Sequence, residues 1–179
     1  MVERPNPKII PQAPQEPLKL KIIVVGEQGV GKSCFRKQFA KSEYNASEAT
    51  TIGSDFYSKT LKVSKGTVQF NLWDVSGDPV YIDVRNEFYK ESQVLFVMYD
   101  ITNRKSFDAI DMWLREVSKY GGDALPLAVI GNKMDKKGQR AITKDDAENW
   151  VKQRGFFGYY EVCASEGNGF YNLFNEVAN

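Results

Sequence analysis

The chain has 179 residues, 42% of them hydrophobic and 26% charged, with a net charge of +1; this fits one soluble globular domain and argues against broad electrostatic attraction to nucleic acid or an anionic membrane. It contains no histidine, which excludes histidine catalysis and histidine metal ligation, and its two cysteines, Cys34 and Cys163, lack framework spacing and fit a reduced compartment. The longest clean apolar run, residues 94–99, is far too short to span a bilayer, and with no signal peptide, N-terminal Met-Gly or C-terminal Cys-a-a-X, no direct lipid anchor is expected.

Residues 1–17 hold five of the seven prolines and are expected to form an extended arm, either unstructured, laid along the domain or offered to a partner; Pro11-Gln12-Ala13-Pro14 matches P-x-x-P. Residues 18–179 are expected to form the domain proper. Residues 20–25 read as a buried strand. Gly26-Glu27-Gln28-Gly29-Val30-Gly31-Lys32-Ser33 then satisfies G-x-x-x-x-G-K-[ST], and a candidate helix follows at 32–40. A glycine-rich turn is the bland alternative. The strand and helix flanks favour a phosphate cradle, with backbone N–H groups aimed at anionic oxygens, Lys32 near the β and γ phosphates, and the Ser33 hydroxyl a ligand for Mg²⁺.

A polar segment, 41–54, carries Thr50-Thr51. Two strand-like runs follow, 56–63 and 68–74, joined by the turn signal Ser64-Lys65-Gly66-Thr67; Val68, Phe70 and Leu72 alternate onto one face. Residues 94–99 read as the next strand, ending at Asp100. Phe107, Ile110, Leu114 and Val117 recur at helical spacing up to Gly121-Gly122. Residues 127–131 form a short apolar strand followed directly by Asn132-Lys133-Met134-Asp135. Thr143 and Asp146 suggest a capping box for a helix reaching about Arg154, residues 159–162 a last strand, and 170–177 a final helix. Short strands alternating with helices imply an α/β fold: six strands, mostly parallel, with one antiparallel edge strand and helices on both faces. Ligands of such sheets bind beyond the carboxyl ends of the strands, where each motif above falls.

The phosphate loop, Thr51, Asp74-x-x-Gly77 and Asn132-Lys133-x-Asp135, in this order, resemble the Ras-like small GTPases, which are P-loop NTPases. Ser33-Cys34, Thr51-Ile52-Gly53-x-Asp55-Phe56 and Trp73-Asp74 look like the Rab branch. Val84-Arg85-Asn86-Glu87-Phe88-Tyr89-Lys90, with Ser106-Phe107-Asp108-Ala109 and Trp113-Leu114, resembles the RJL group, Rab-like proteins some of which carry a J domain; no J domain is present in this chain. The resemblance implies a guanine-nucleotide switch that binds GTP and GDP with Mg²⁺, with roles in signalling or vesicle trafficking. Its location would be cytoplasmic, or nuclear or membrane-peripheral through partners. Effector and regulator proteins would meet it through residues 44–56 and 76–90.

Residue by residue, the resemblance places Gly29, Val30, Gly31, Lys32, Ser33 and Cys34 around the phosphates, and Tyr44 at the base edge. Ser33 and Thr51 would be Mg²⁺ ligands, with Asp74 acting through a water, and the Gly77 amide would reach the γ phosphate. The Asp135 carboxylate can accept from both N1–H and the 2-amino group of guanine, donors that adenine lacks, so Asn132, Lys133 and Asp135 should reject ATP. Cys163-Ala164-Ser165 matches the final base loop but departs from the usual Ser-Ala-Lys at two of its three positions, which is expected to weaken nucleotide affinity. Glu48 replaces a tyrosine lid, so a more open first switch is expected.

The expected catalytic set is Asp78, Gln28, Gly77, Lys32 and Thr51. Relatives usually carry glutamine after Asp-x-x-Gly, to orient the attacking water. Asp78 is shorter, negatively charged and without an amide donor, and Pro79 restricts its backbone. Gln28, where glycine or serine is usual, is expected to obstruct an inserted arginine finger or else to position the water itself. Slow hydrolysis is the expectation. A non-cycling nucleotide-bound scaffold and a P-loop kinase are the rival readings, and the kinase would leave Asn132-Lys133-x-Asp135 unexplained.

Overall fold

The computed structural model describes residues 16–40, 53–120 and 125–179. The proline-rich arm up to residue 15, Tyr44, Glu48, Thr51 and Gly121-Gly122 lie outside the described residues. Six strands form one sheet: β1 (Leu18–Val25), β2 (Ser54–Val63), β3 (Gly66–Val75), β4 (Val94–Asp100), β5 (Leu127–Asn132) and β6 (Gly158–Glu161). Their spatial order is β2-β3-β1-β4-β5-β6, and every neighbouring pair is parallel except the β2–β3 hairpin at one edge. This is the sheet expected from the sequence.

Among the described residues six α-helices cover it: α1 (Lys32–Ala40), α2 (Ile82–Tyr89), α3 (Arg104–Asp108), α4 (Ile110–Lys119), α5 (Lys144–Gln153) and α6 (Phe170–Val177). On one face, Ile22 and Val24 of β1 and Phe96 and Met98 of β4 pack with Phe35 and Phe39 of α1 and Leu173 and Phe174 of α6. On the other, Ile23, Val25, Leu95 and Val97 meet Tyr89 of α2, Phe107 of α3, Trp113 of α4 and Val151 of α5. Successive side chains of a strand point to opposite faces, so the unbroken apolar run of β4 is what a doubly covered central strand requires. The Phe174 ring lies 4.4 Å from Phe39 and 5.2 Å from Phe70, centroid to centroid, and removing it would cost about 3–5 kcal/mol.

Several boundaries move. β1 starts two residues earlier than expected, and β6 begins and ends one residue earlier. The hairpin turn tightens to Ser64-Lys65, because Val63 and Gly66 already pair across the strands. The single helix expected after Asp100 divides into α3 and α4 at Ala109. Asn103 opens α3 by accepting from the Lys105 N–H at 3.1 Å, and Thr143 opens α5 by accepting from the Asp146 N–H at 3.1 Å. No helix among the described residues is long and apolar enough to cross a membrane.

Candidate functional site

The parallel strands β1, β3, β4 and β5 deliver the loops at their carboxyl ends to one end of the sheet. The first of these runs from Gly26 to Gly31 and leads into α1. Gly31 has φ of 99°, and a Cβ there would stand 2.4 Å from Asn132 Nδ2, so only glycine fits this close approach. Lys32 is nearly buried and folds back over the loop, its ammonium donating to the Gly26 and Glu27 carbonyls at 2.6 and 2.9 Å. Burial pulls its pKa down to about 8, against the opposing pull of Asp74 and Glu27. A phosphate anion beside this lysine would favour its charged form further.

Asp74, at the end of β3, is fully buried. Burial pushes its carboxyl up, opposed by the Ser33 hydroxyl bonded to it and by Lys32 and Arg36 nearby. Arg36 Nε approaches Asp74 Oδ2 at 3.9 Å while its Nη2 holds Asp55 at 2.6 Å. A serine hydroxyl joined to a carboxylate, beside a glycine cradle, is a hard oxygen donor set that suits Mg²⁺. The third expected ligand, Thr51, lies outside the described residues, as does Tyr44.

Gly77 is pressed against this cradle. A Cβ added there would lie 2.6 Å from the Gly26 carbonyl oxygen and 2.9 Å from both the Gln28 nitrogen and Lys32 Nζ. The next residue is Asp78, which caps the turn Pro79–Tyr81 by accepting from the Val80 N–H at 3.0 Å. Its other oxygen accepts from Gln28 Nε2 at 3.2 Å. The two unusual residues read separately from the sequence are therefore bonded to each other.

On the far side, Asn132 ends β5 and joins two loops. Its Nδ2 donates to the Val30 carbonyl at 2.8 Å, and its Oδ1 accepts from the Ala164 N–H at 3.1 Å. Lys133 adopts a left-handed backbone, φ 67°, uncommon for a side-chain-bearing residue. Its ammonium pairs with Asp100 at 2.7 Å and donates to the Gly29 carbonyl at 2.9 Å, laying the stem across the phosphate loop. Cys163 Sγ donates to Asp135 Oδ1 at 3.2 Å and stands 3.0 Å from Ser165 Oγ. Cys34 is half-buried on α1, packed beside the core of that face. Neither cysteine forms a disulfide, as their spacing suggested.

Some of the site was not anticipated. Trp113 Nε1 donates to the Glu27 carboxylate at 3.2 Å, and Arg85 forks onto Glu116 at 2.6 and 2.7 Å. The signals in the sequence were the i, i+3 spacing of Trp113 and Glu116 on one helix and the i, i+4 spacing of Arg85 and Tyr89 on another. Among the aromatic residues of 76–90, Tyr89 is core, Phe88 packs against Trp73 with ring centroids 4.8 Å apart, and Tyr81 is half-buried.

A phosphate loop following β1, a buried Asp at the end of β3 and an Asn-Lys-x-Asp run at the end of β5 define a G domain, the class of P-loop protein built around a guanine nucleotide. The chain belongs to the Ras family, whose family model matches residues 21–179. It is 33% identical over 166 residues to DnaJ homolog subfamily C member 27 of Bos taurus, covering 90% of this chain and 60% of that one. It is 31% identical to Ras-related protein Rab-7a of Paramecium octaurelia, covering 93% and 82%, and 32% identical to Ras-related protein Rab-26 of Bos taurus, covering 92% and 69%. The chain thus spans about three fifths of the length of its DnaJ-type relatives. Relatives of both names bear out the resemblance to Rab-like small GTPases.

Proposed function

We propose that this protein is a nucleotide switch that binds GTP and GDP with Mg²⁺ and hydrolyses GTP slowly. The bond between Gln28 Nε2 and Asp78 Oδ2 carries this reading. Water positioning in the family needs a side chain that both donates and accepts near the γ phosphate. Asp78 accepts from Gln28 with one oxygen and from the Val80 N–H with the other, and a carboxylate has no N–H to offer. The Gln28 amide is drawn toward Asp78 instead of toward an incoming water.

The rest of the site supports binding. Lys32 and the loop amides would hold the β and γ phosphates, Asp135 the guanine edge, and Asn132 and Lys133 the two loops in register. Ser33 and Asp74 would hold the metal, the latter through a water, with Thr51 as third ligand. When bound, Mg²⁺ would supply positive charge that offsets the negative charge developing on the phosphates. Partners would meet residues 44–56 and 76–90, where Phe56, Val80 and Val84 are exposed at 45, 80 and 47%. We place the protein in the cytoplasm, or at nuclear or membrane sites through its partners; fractionation of the tagged full chain tests this.

The deciding experiment is single-turnover GTP hydrolysis with chromatographic identification of the nucleotide. The wild type should turn over at or below about 10⁻⁴ s⁻¹, and Asp78→Gln combined with Gln28→Gly should raise the rate about tenfold or more. No gain in the double variant would count against the assignment. Tight GTP retention with no product in either protein would favour a non-cycling scaffold.

A further inference from the structure

Residues 76–89, the second switch, are tied to the domain by a ring of side chains that also reaches the phosphate loop. Arg85, on the inner face of α2, is 2% exposed. Its Nε and Nη2 donate to the two carboxylate oxygens of Glu116 on α4 at 2.6 and 2.7 Å. Its Nη1 donates to the Ser76 and Asp78 carbonyls at 3.3 and 2.7 Å, the two carbonyls that bracket Gly77. The guanidinium carbon sits 4.7 Å from the Trp113 ring centroid, and Tyr89, one turn further along α2, donates to Glu116 at 2.5 Å. Trp113 reaches Glu27 of the phosphate loop, and Gln28 reaches Asp78, which closes the ring.

Every bond in this ring joins two protein groups; Glu27 and Gln28 lie on the phosphate loop, but Arg85 itself is anchored on Glu116 of α4, a helix packed on β4. Parting a buried guanidinium from its carboxylate leaves an uncompensated charge on each side, which is strongly unfavourable. A γ phosphate would offer this segment little more than a hydrogen bond from the Gly77 amide. A ligand shifts a conformational equilibrium only by its differential interaction with the two states. One hydrogen bond gained or lost is smaller than the clamp that holds the segment. We infer that Arg85 is a positioning residue that keeps residues 76–89 docked in both nucleotide states, so that the nucleotide-dependent change is confined to the first switch. The inference rests on the nucleotide-switch reading above.

Hydrogen exchange of the full chain, loaded with GDP or with GTPγS and checked by chromatography for bound nucleotide, tests it. Wild-type peptides over 78–89 should exchange within about twofold in the two states, while peptides over 44–56 differ by about tenfold or more. Arg85→Ala should speed exchange of 78–89 about tenfold or more in the GDP state and make it depend on the nucleotide, leaving α5 peptides unchanged. Arg85→Lys, which keeps the charge but not the fork, should fall between. Glu116→Gln provides the same readout if Arg85→Ala does not fold. Deprotection of wild-type 78–89 in GDP by about tenfold, or no effect of either substitution, would overturn the inference. Retention of neither nucleotide would instead sink the switch reading, and this inference with it.

Discussion

The Asn132 side chain donates to the Val30 carbonyl at 2.8 Å, across 102 positions of sequence, and its oxygen accepts the Ala164 N–H at 3.1 Å. One buried amide thus sets the distance between the phosphate loop and both loops that would read the base. Asn132→Ala leaves a buried carbonyl and a buried N–H without partners. We expect a loss of about 2–4 kcal/mol in urea unfolding, along with weaker nucleotide binding. An unchanged midpoint would show that water replaces both bonds.

The Cys163 thiol donates to the carboxylate of Asp135 at 3.2 Å. Cys163→Ala should free that carboxylate to rotate and raise the GDP dissociation rate about fivefold, the equivalent of one modest hydrogen bond. Cys163→Ser supplies a stronger donor and should restore or lower the rate. Displacement of a fluorescent GDP analogue measures both. Equal rates in the alanine and wild-type proteins would remove the thiol from base recognition.

Gly77→Ala introduces a methyl 2.6 Å from the Gly26 carbonyl oxygen, where backbone must give way. Overpacking of this kind costs about 1–3 kcal/mol, and the displaced amide can no longer meet a γ phosphate. The affinity ratio of GTPγS to GDP should therefore fall about tenfold in this variant, measured by competition, which converts to about 1.4 kcal/mol. A preserved ratio would mean that Gly77 does not sense the γ phosphate.

Glu161 gives a pH signature. Burial opposes its ionisation, but the Arg140 fork at 2.7 and 2.9 Å and the Tyr159 hydroxyl at 2.7 Å outweigh this and hold its carboxyl below the usual glutamate range. The neighbouring Tyr99, 2.8 Å from Tyr159, is pushed up to about 12 by burial. Because the folded pKa is depressed, the unfolded chain binds more protons in the window just below about pH 4.3. This contribution to stability is complete above that window and is lost as pH falls through the folded value. Glu161→Gln should lower stability at pH 7 by about 1–3 kcal/mol and flatten the loss as pH falls below about 4.3, read from urea midpoints. Identical acid slopes would contradict the pairing.

Much of this protein was legible locally. The phosphate loop, the strand-helix alternation and the Asn132-Lys133-x-Asp135 run are contiguous patterns whose chemistry depends on residue type and spacing. A fully apolar β4 and an alternating β3 announce their burial, so the sheet, its antiparallel edge and the placement of the loops at one end could be read before any coordinates. Boundaries shifted by a residue or two because hydrogen-bond pairing, as between Val63 and Gly66, extends strands past their apolar positions.

What only the tertiary structure decided are the bonds between segments far apart in the chain. Gln28 and Asp78 were each conspicuous in the sequence, yet their pairing is visible only because Gly77 packs against the phosphate loop, bringing positions 50 residues apart within 3.2 Å. Arg85 and Glu116 lie on two separate helices, 31 positions apart in the chain. Packing of α2 and α4 on the same face of the sheet turned them inward and made them a buried clamp. Local pattern determines which element forms and which face is apolar, but the partner of a polar side chain is set by which elements share that face.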